Sequence, residues 1–110
     1  MTEQAMYRLC EVKQGVPHTL FHGVLGKRSL TVGVWIHADR KLVHDGTNGT
    51  KYISGFHCLP TIDDCREYQR QFTADRELGI YRIIARECRP KSHSRSLVYL
   101  AEWMKLQERV

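Results

Sequence analysis

No uninterrupted apolar run in this chain approaches the ~18–20 residues that a membrane-spanning helix needs. The first residues, Met1-Thr2-Glu3-Gln4-Ala5-Met6, are polar and carry an acid. They lack the basic stretch and apolar run of a secretory leader, which points to a cytoplasmic protein with its cysteines reduced. Phosphate-cradling loops are missing as well: neither G-x-x-x-x-G-K-[ST] nor G-x-G-x-x-G occurs. No two of the four cysteines (Cys10, Cys58, Cys65, Cys88) are close enough to form the C-x2-C half of a zinc site. His18 and His22 are four apart, but Thr19-Leu20-Phe21 between them reads as extended, so the two rings would not share a helical face. The expectation is therefore free thiols, no metal and no cofactor.

What remains is the composition of one ordinary globular domain. The 110 residues are 42% hydrophobic and 26% charged, with no repeat, linker or low-complexity tract. A chain of this length buries roughly two-thirds of its unfolded surface and folds without a metal or disulfide. A single domain over 1–110 is expected.

The net charge of +5 is concentrated late in the chain. From Arg76 to Arg95 there are six basic residues against two acidic ones, a net +4. Such an excess favours a nucleotide, a nucleic acid or an acidic protein surface as partner.

Turn signals divide the chain into short extended pieces. Tyr7–Val12 alternates apolar and polar positions, as a strand with one buried face does, and Gly15-Val16-Pro17 breaks it. Leu20-Phe21 and Leu30–Ile36 read as further extended segments. His44–Thr50 contains Asp45-Gly46 and Asn48-Gly49, both strong turn signals, and Lys51–Leu59 is extended again. Thr61 then sits where a helix N-cap belongs, with Asp63 and Asp64 in the first turn. Ile62, Cys65, Tyr68, Gln69 and Phe72 recur at helical spacing. Leu78–Arg86 is the best candidate for a central strand, and Pro90, having no amide to donate, ends it. Leu97–Leu106 fits either a helix or two short strands. Grouped strands around one helix predict an α+β domain, a mainly antiparallel sheet with a central helix over about 61–73 packed on it.

The candidate chemistry is cationic. In Arg89-Pro90-Lys91-Ser92-His93-Ser94-Arg95, an extended backbone would project Arg89, Lys91, His93 and Arg95 from one side. Guanidinium forks suit phosphate or carboxylate oxygens. Arg86 belongs to the same group, with Lys27 and Arg28, beside Gly23 and Gly26, as outer candidates. Trp35, Tyr52, Phe56 and Tyr81 offer rings on which a base could stack, although strand aromatics usually belong to the core. His57 next to Cys58 does not make a nucleophile and base, because strand neighbours face opposite ways, and Cys65 lies on the apolar stripe of the helix.

Two resemblances follow from particular residues. Tyr52-x-Ser54-Gly55-Phe56-His57, the segment Thr61–Tyr68, Arg89-x-Lys91-x-His93-Ser94-Arg95 and Val98-x-Leu100-Ala101-x-x-Met104 together resemble a group of small phage and prophage proteins. That likeness implies a bacterial virus or mobile element and no defined activity; inhibition of a bacterial defence system is one concrete form it implies. More distantly, Gly55-Phe56-His57, Cys65–Tyr68 and Ile80-Tyr81-Arg82-Ile83 look like the middle of an ADP-ribosyltransferase-like fold. That likeness implies an NAD-using enzyme with His57 and Tyr68 near the nicotinamide and Glu87 or Glu102 polarising the ribose. The chain has no Glu-x-Glu after the strand, which separates scaffold from activity.

The reading is a non-enzymatic phage-type accessory protein that binds an anionic partner through Arg86, Arg89, Lys91, His93 and Arg95. An assembly protein, dimerising through Trp35 or Trp103, is the structural alternative.

Overall fold

The computed structural model describes residues 2–20, 29–38, 42–44, 51–72, 75–91 and 97–110. Three long strands form its frame. They are β1 (Glu3–Lys13), β7 (Leu78–Pro90) and β8 (Tyr99–Arg109), with β7 central, antiparallel to both neighbours. Short strands complete the sheet. β2 (Val16–His18) pairs with the end of β1, while β3 (Trp35–His37) and β6 (Phe56–Cys58) pair with successive parts of the far edge of β8. A separate hairpin joins β4 (Leu42–His44) to β5 (Lys51–Ile53). The Asp-Gly and Asn-Gly turn expected between them lies outside the described residues.

The β1–β2 connection shows how local sequence sets register. Gln14 and Gly15 both have positive φ, 52° and 78°, the arrangement a two-residue turn needs if its twist is to match the strands. Lys13 consequently pairs with Val16.

The sheet curls into a half-barrel, and Leu59, just past β6, returns to the free edge of β1. Tyr7 and Leu59 exchange two backbone hydrogen bonds of 2.8 Å. Met6, Cys10, Phe56, Cys58, Tyr81, Ile83, Ala85, Ala101, Met104 and Leu106 fill the inside of the curl. Outside it, Leu9, Leu20, Leu59, Cys65, Tyr68 and Val98 form a second cluster beneath the helix, flanked by Tyr7, Phe72, Leu78 and Ile80.

That second cluster corrects the expectation of a single buried face for Tyr7–Val12. Both faces of β1 are covered, and its polar residues Arg8 and Glu11 are only 6% and 7% exposed. Glu11 accepts from Arg76 Nε at 3.1 Å and Nη2 at 3.3 Å, and Arg76 also donates to the Leu20 carbonyl.

The helix α1 (Ile62–Gln69) begins where the sequence places it. The Thr61 hydroxyl accepts from the Asp64 amide at 3.1 Å and donates to the Asp64 carboxylate at 2.8 Å. It is shorter than the predicted span to 73. From Arg70 to Phe72 the amides bond three residues back instead of four, a tightening common at helix ends. The turn still delivers Phe72 edge-on to Tyr68, with ring centroids 5.3 Å apart.

Three further expectations change. Leu97–Leu106 is neither a helix nor two strands; it enters one long strand, because pairing with β7, β3 and β6 satisfies its backbone along nearly the whole length. Only Trp35–His37 of the segment from Leu30 is a strand, since the chain turns at Gly33, where φ is +84°. Leu20 is outside any strand, and Phe21 lies outside the described residues. The result is a mainly antiparallel sheet with one short helix on its outer side. All four cysteines are free thiols, and no described helix is long and apolar enough to cross a membrane.

Candidate functional site

The helix covers only one end of the sheet's outer face. At the other end the ladder lines up Glu3, Arg86, Trp103 and His37 across four strands, and beside them Ala5, Ile84, Lys105 and Trp35. Three of these eight residues are cationic or histidine side chains and two are tryptophans, the only two in the chain.

Their contacts run across the strands. The Arg86 guanidinium lies over Trp35, 3.8 Å from the ring centroid, and donates to the Glu3 carboxylate at 2.6 and 3.1 Å. The Lys105 ammonium stands 5.0 Å from the same ring. His37 stacks obliquely on Trp103 at 4.5 Å, and its Nε2 is 3.2 Å from Glu102. Cation–ring contacts of this kind contribute about 0.5–1 kcal/mol each where exposed. They hold the rings in place while leaving them partly open to solvent.

A kink in β7 brings the other predicted residues to this face. Strict alternation would put Arg86 and Arg89 on opposite sides. Tyr81, Ile83 and Ala85 point into the barrel, and so does Cys88, so the alternation slips by one residue at Glu87. Glu87 has φ +55°, a conformation in which the strand twists sharply. Arg86, Arg89 and Lys91 therefore share the outer side. Arg89 donates to the carbonyls of Ile53 and Ser54 at 2.7 and 2.9 Å. Gly55 permits this approach, since a Cβ there would stand 3.1 Å from Leu100 Cβ and 3.5 Å from the Arg89 guanidinium. Lys91 Nζ is 3.2 Å from His57 Nε2.

The late basic excess is thus partly spent within the fold. Arg76 pairs with Glu11, Arg82 with Glu108 and Arg86 with Glu3. Arg89 and Lys105 have no carboxylate partner among the described residues. His93, Arg95, Lys27 and Arg28 lie outside the described residues.

Lys105 and His37 were not singled out from the sequence. The signal was present: Trp35-x-His37 and Trp103-x-Lys105 have the period of two that puts alternate strand residues on one face. Of the four rings that could stack a base, Phe56 and Tyr81 belong to the core, as strand aromatics usually do, each 5% exposed.

For the NAD-using alternative, Tyr68 is buried beneath the helix with Leu9 and Leu59, His57 is against Lys91 on β6, and Glu87 and Glu102 lie on β7 and β8. A shallow depression of about 410 Å³ at the start of α1 is lined by Asp63 as well as Arg66, so it favours neither sign of charge. Among the described residues, no three His, Cys, Asp or Glu side chains gather in one place.

No protein-family model, curated protein or solved structure matches this chain.

Proposed function

We propose that this protein is a non-enzymatic binder of single-stranded nucleic acid, which it takes across the end of the sheet's outer face that the helix leaves uncovered. One observation carries the reading: Trp35 and Trp103, diagonal neighbours on β3 and β8, share with Arg86, Lys105 and His37 the part of that face the helix leaves uncovered. Flat strands bearing partly exposed aromatic rings among cations are how many unrelated proteins take unpaired bases, because rings stack on bases and cations meet phosphates. Arg89 and Lys91, further along β7, extend the positive charge in the direction a backbone would follow. The phage-type resemblance supplies a setting, an accessory protein of a mobile element, and inhibition of a nucleic-acid-directed host defence suits such a binder.

Fluorescence anisotropy with labelled single-stranded DNA and RNA, a duplex, a mononucleotide and a polyglutamate peptide tests the proposal. Single strands should bind best. Double substitution of Arg89 and Lys105 to alanine should weaken binding and flatten its salt dependence. Preference for polyglutamate would redirect the reading to an acidic protein partner. If no anion binds while light scattering shows a dimer burying both tryptophans, the face is an assembly surface.

A further inference from the structure

Inside the barrel, Met6 stands between two cysteine sulfurs, near a charge that the outer face does not explain. Cys58 Sγ lies 3.7 Å from Met6 Sδ, and Cys88 Sγ lies 3.8 Å from the same atom. Beside them lies Arg8, 6% exposed, its Nε buried without a hydrogen-bond partner. Its other contacts are the His57 carbonyl at 2.9 Å, the Phe56 ring at 5.6 Å and the Cys10 thiol. No carboxylate balances Arg8 among the described residues, and a buried charge without a counter-charge is costly.

A disulfide is the wrong use for these thiols. Cys58 and Cys88 lie on strands that flank β8, with strand spacings of about 4.8 Å. They also pair with Tyr99 and Ala101, two residues apart along it. Their Cα atoms are thus separated beyond the ~7 Å that a disulfide spans. Three converging sulfurs suit a different ligand. With metal–sulfur bonds of about 2.3 Å, three sulfurs arranged around one ion stand about 4 Å apart, close to the 3.7 and 3.8 Å that separate the two cysteine sulfurs from Met6. Thiolates with a thioether select soft ions, and among the described residues no further His, Cys, Asp or Glu gathers with the two cysteines to complete a tetrahedral zinc site.

We propose that Met6, Cys58 and Cys88 form a site for one soft monovalent metal ion of the copper(I) or silver(I) class, with Arg8 as its counter-charge. Binding releases two thiol protons to solvent. The ion, two thiolates and a neutral thioether carry a net charge of −1, which the Arg8 guanidinium neutralises. Cys88, only partly buried, gives the ion its way in.

The test is an oxygen-free titration of the reduced full-length chain with copper(I) against a chromogenic chelator, followed by X-ray absorption of the loaded protein. One ion per chain with three sulfur neighbours is expected. Cys58→Ser and Cys88→Ser should each lose the ion, whereas Cys65→Ser, at a position as buried as Cys58, should keep it. Arg8→Met should weaken binding by about 10–100-fold, as loss of a supporting group around a metal does. The absorption measurement on the unaltered chain needs no variant to fold. Failure of that chain to hold copper(I) against the chelator, oxygen or nitrogen neighbours, or equal affinity in the Cys58 and Cys88 variants would overturn the proposal and leave the sulfurs as core packing.

Discussion

The two ends of the sheet's outer face begin from the same strands and finish differently. At the first end, Tyr7, Leu9, Leu78 and Ile80 are joined by Cys65 and Tyr68 from the helix. At the second, Glu3, Arg86, Trp103, His37, Lys105 and Trp35 cover one another, and among the described residues no helix lies on them. Alternation alone does not distinguish the ends; what the alternate residues are does. Aliphatic side chains gain only by excluding water, so they recruit a second layer. Tryptophans laced with cations satisfy their apolar rings laterally and keep their charges wet. A face finished in that way is stable without a lid and accessible to a ligand.

Cutting into each end should therefore give different kinds of damage. The largest effect is expected at Leu9, 2% exposed. Leu9→Ala leaves a cavity between β1 and α1 and should cost about 2–5 kcal/mol in a denaturant titration, while nucleic-acid affinity, measured where the variant remains folded, stays near that of the unaltered chain. Trp35→Ala should do the reverse. It removes a stacking ring worth about 1–3 kcal/mol per base, read as an affinity loss of roughly ten- to a hundredfold, with a much smaller change in stability. A stability loss at Trp35 as large as that at Leu9 would erase the distinction. Thr61→Ala removes the cap that starts the covering helix and should cost about 1 kcal/mol, seen as a lower melting temperature with unchanged binding. The smallest effect belongs to the Glu67–Arg70 pair, on the helix's solvent side with both side chains about two-thirds exposed or more; Glu67→Ala should shift stability by only a few tenths of a kcal/mol.

Features decided by neighbouring residues were legible in the sequence. The Thr61 cap, the Gly15 break after β1 and the stop at Pro90 each depend on a handful of adjacent atoms. Features decided across the chain were not. Nothing local to Arg8 says that it turns into the barrel, because that depends on Leu59 pairing with Tyr7 and closing the curl around it. Nothing local to Leu97–Leu106 distinguishes helix from strand; the edges of β7, β3 and β6 decide. The candidate site shows both cases. Arg86, Arg89 and Lys91 were picked out by charge, but their shared side depends on the positive φ at Glu87, which the sequence does not announce. Lys105 and His37 carried a local signal in their spacing of two from Trp103 and Trp35, but only the register of β3 with β8 brings the two pairs together.

The decisive measurement uses the two tryptophans, since both lie on the face in question and no other contributes to the signal. Intrinsic fluorescence should be quenched as single-stranded oligonucleotide is added. The affinity so measured should fall steeply as salt rises from about 50 to 200 mM, as displaced counterions require. Tryptophan emission that stays constant while binding is detected by other means would put the ligand elsewhere and contradict the assignment of this face.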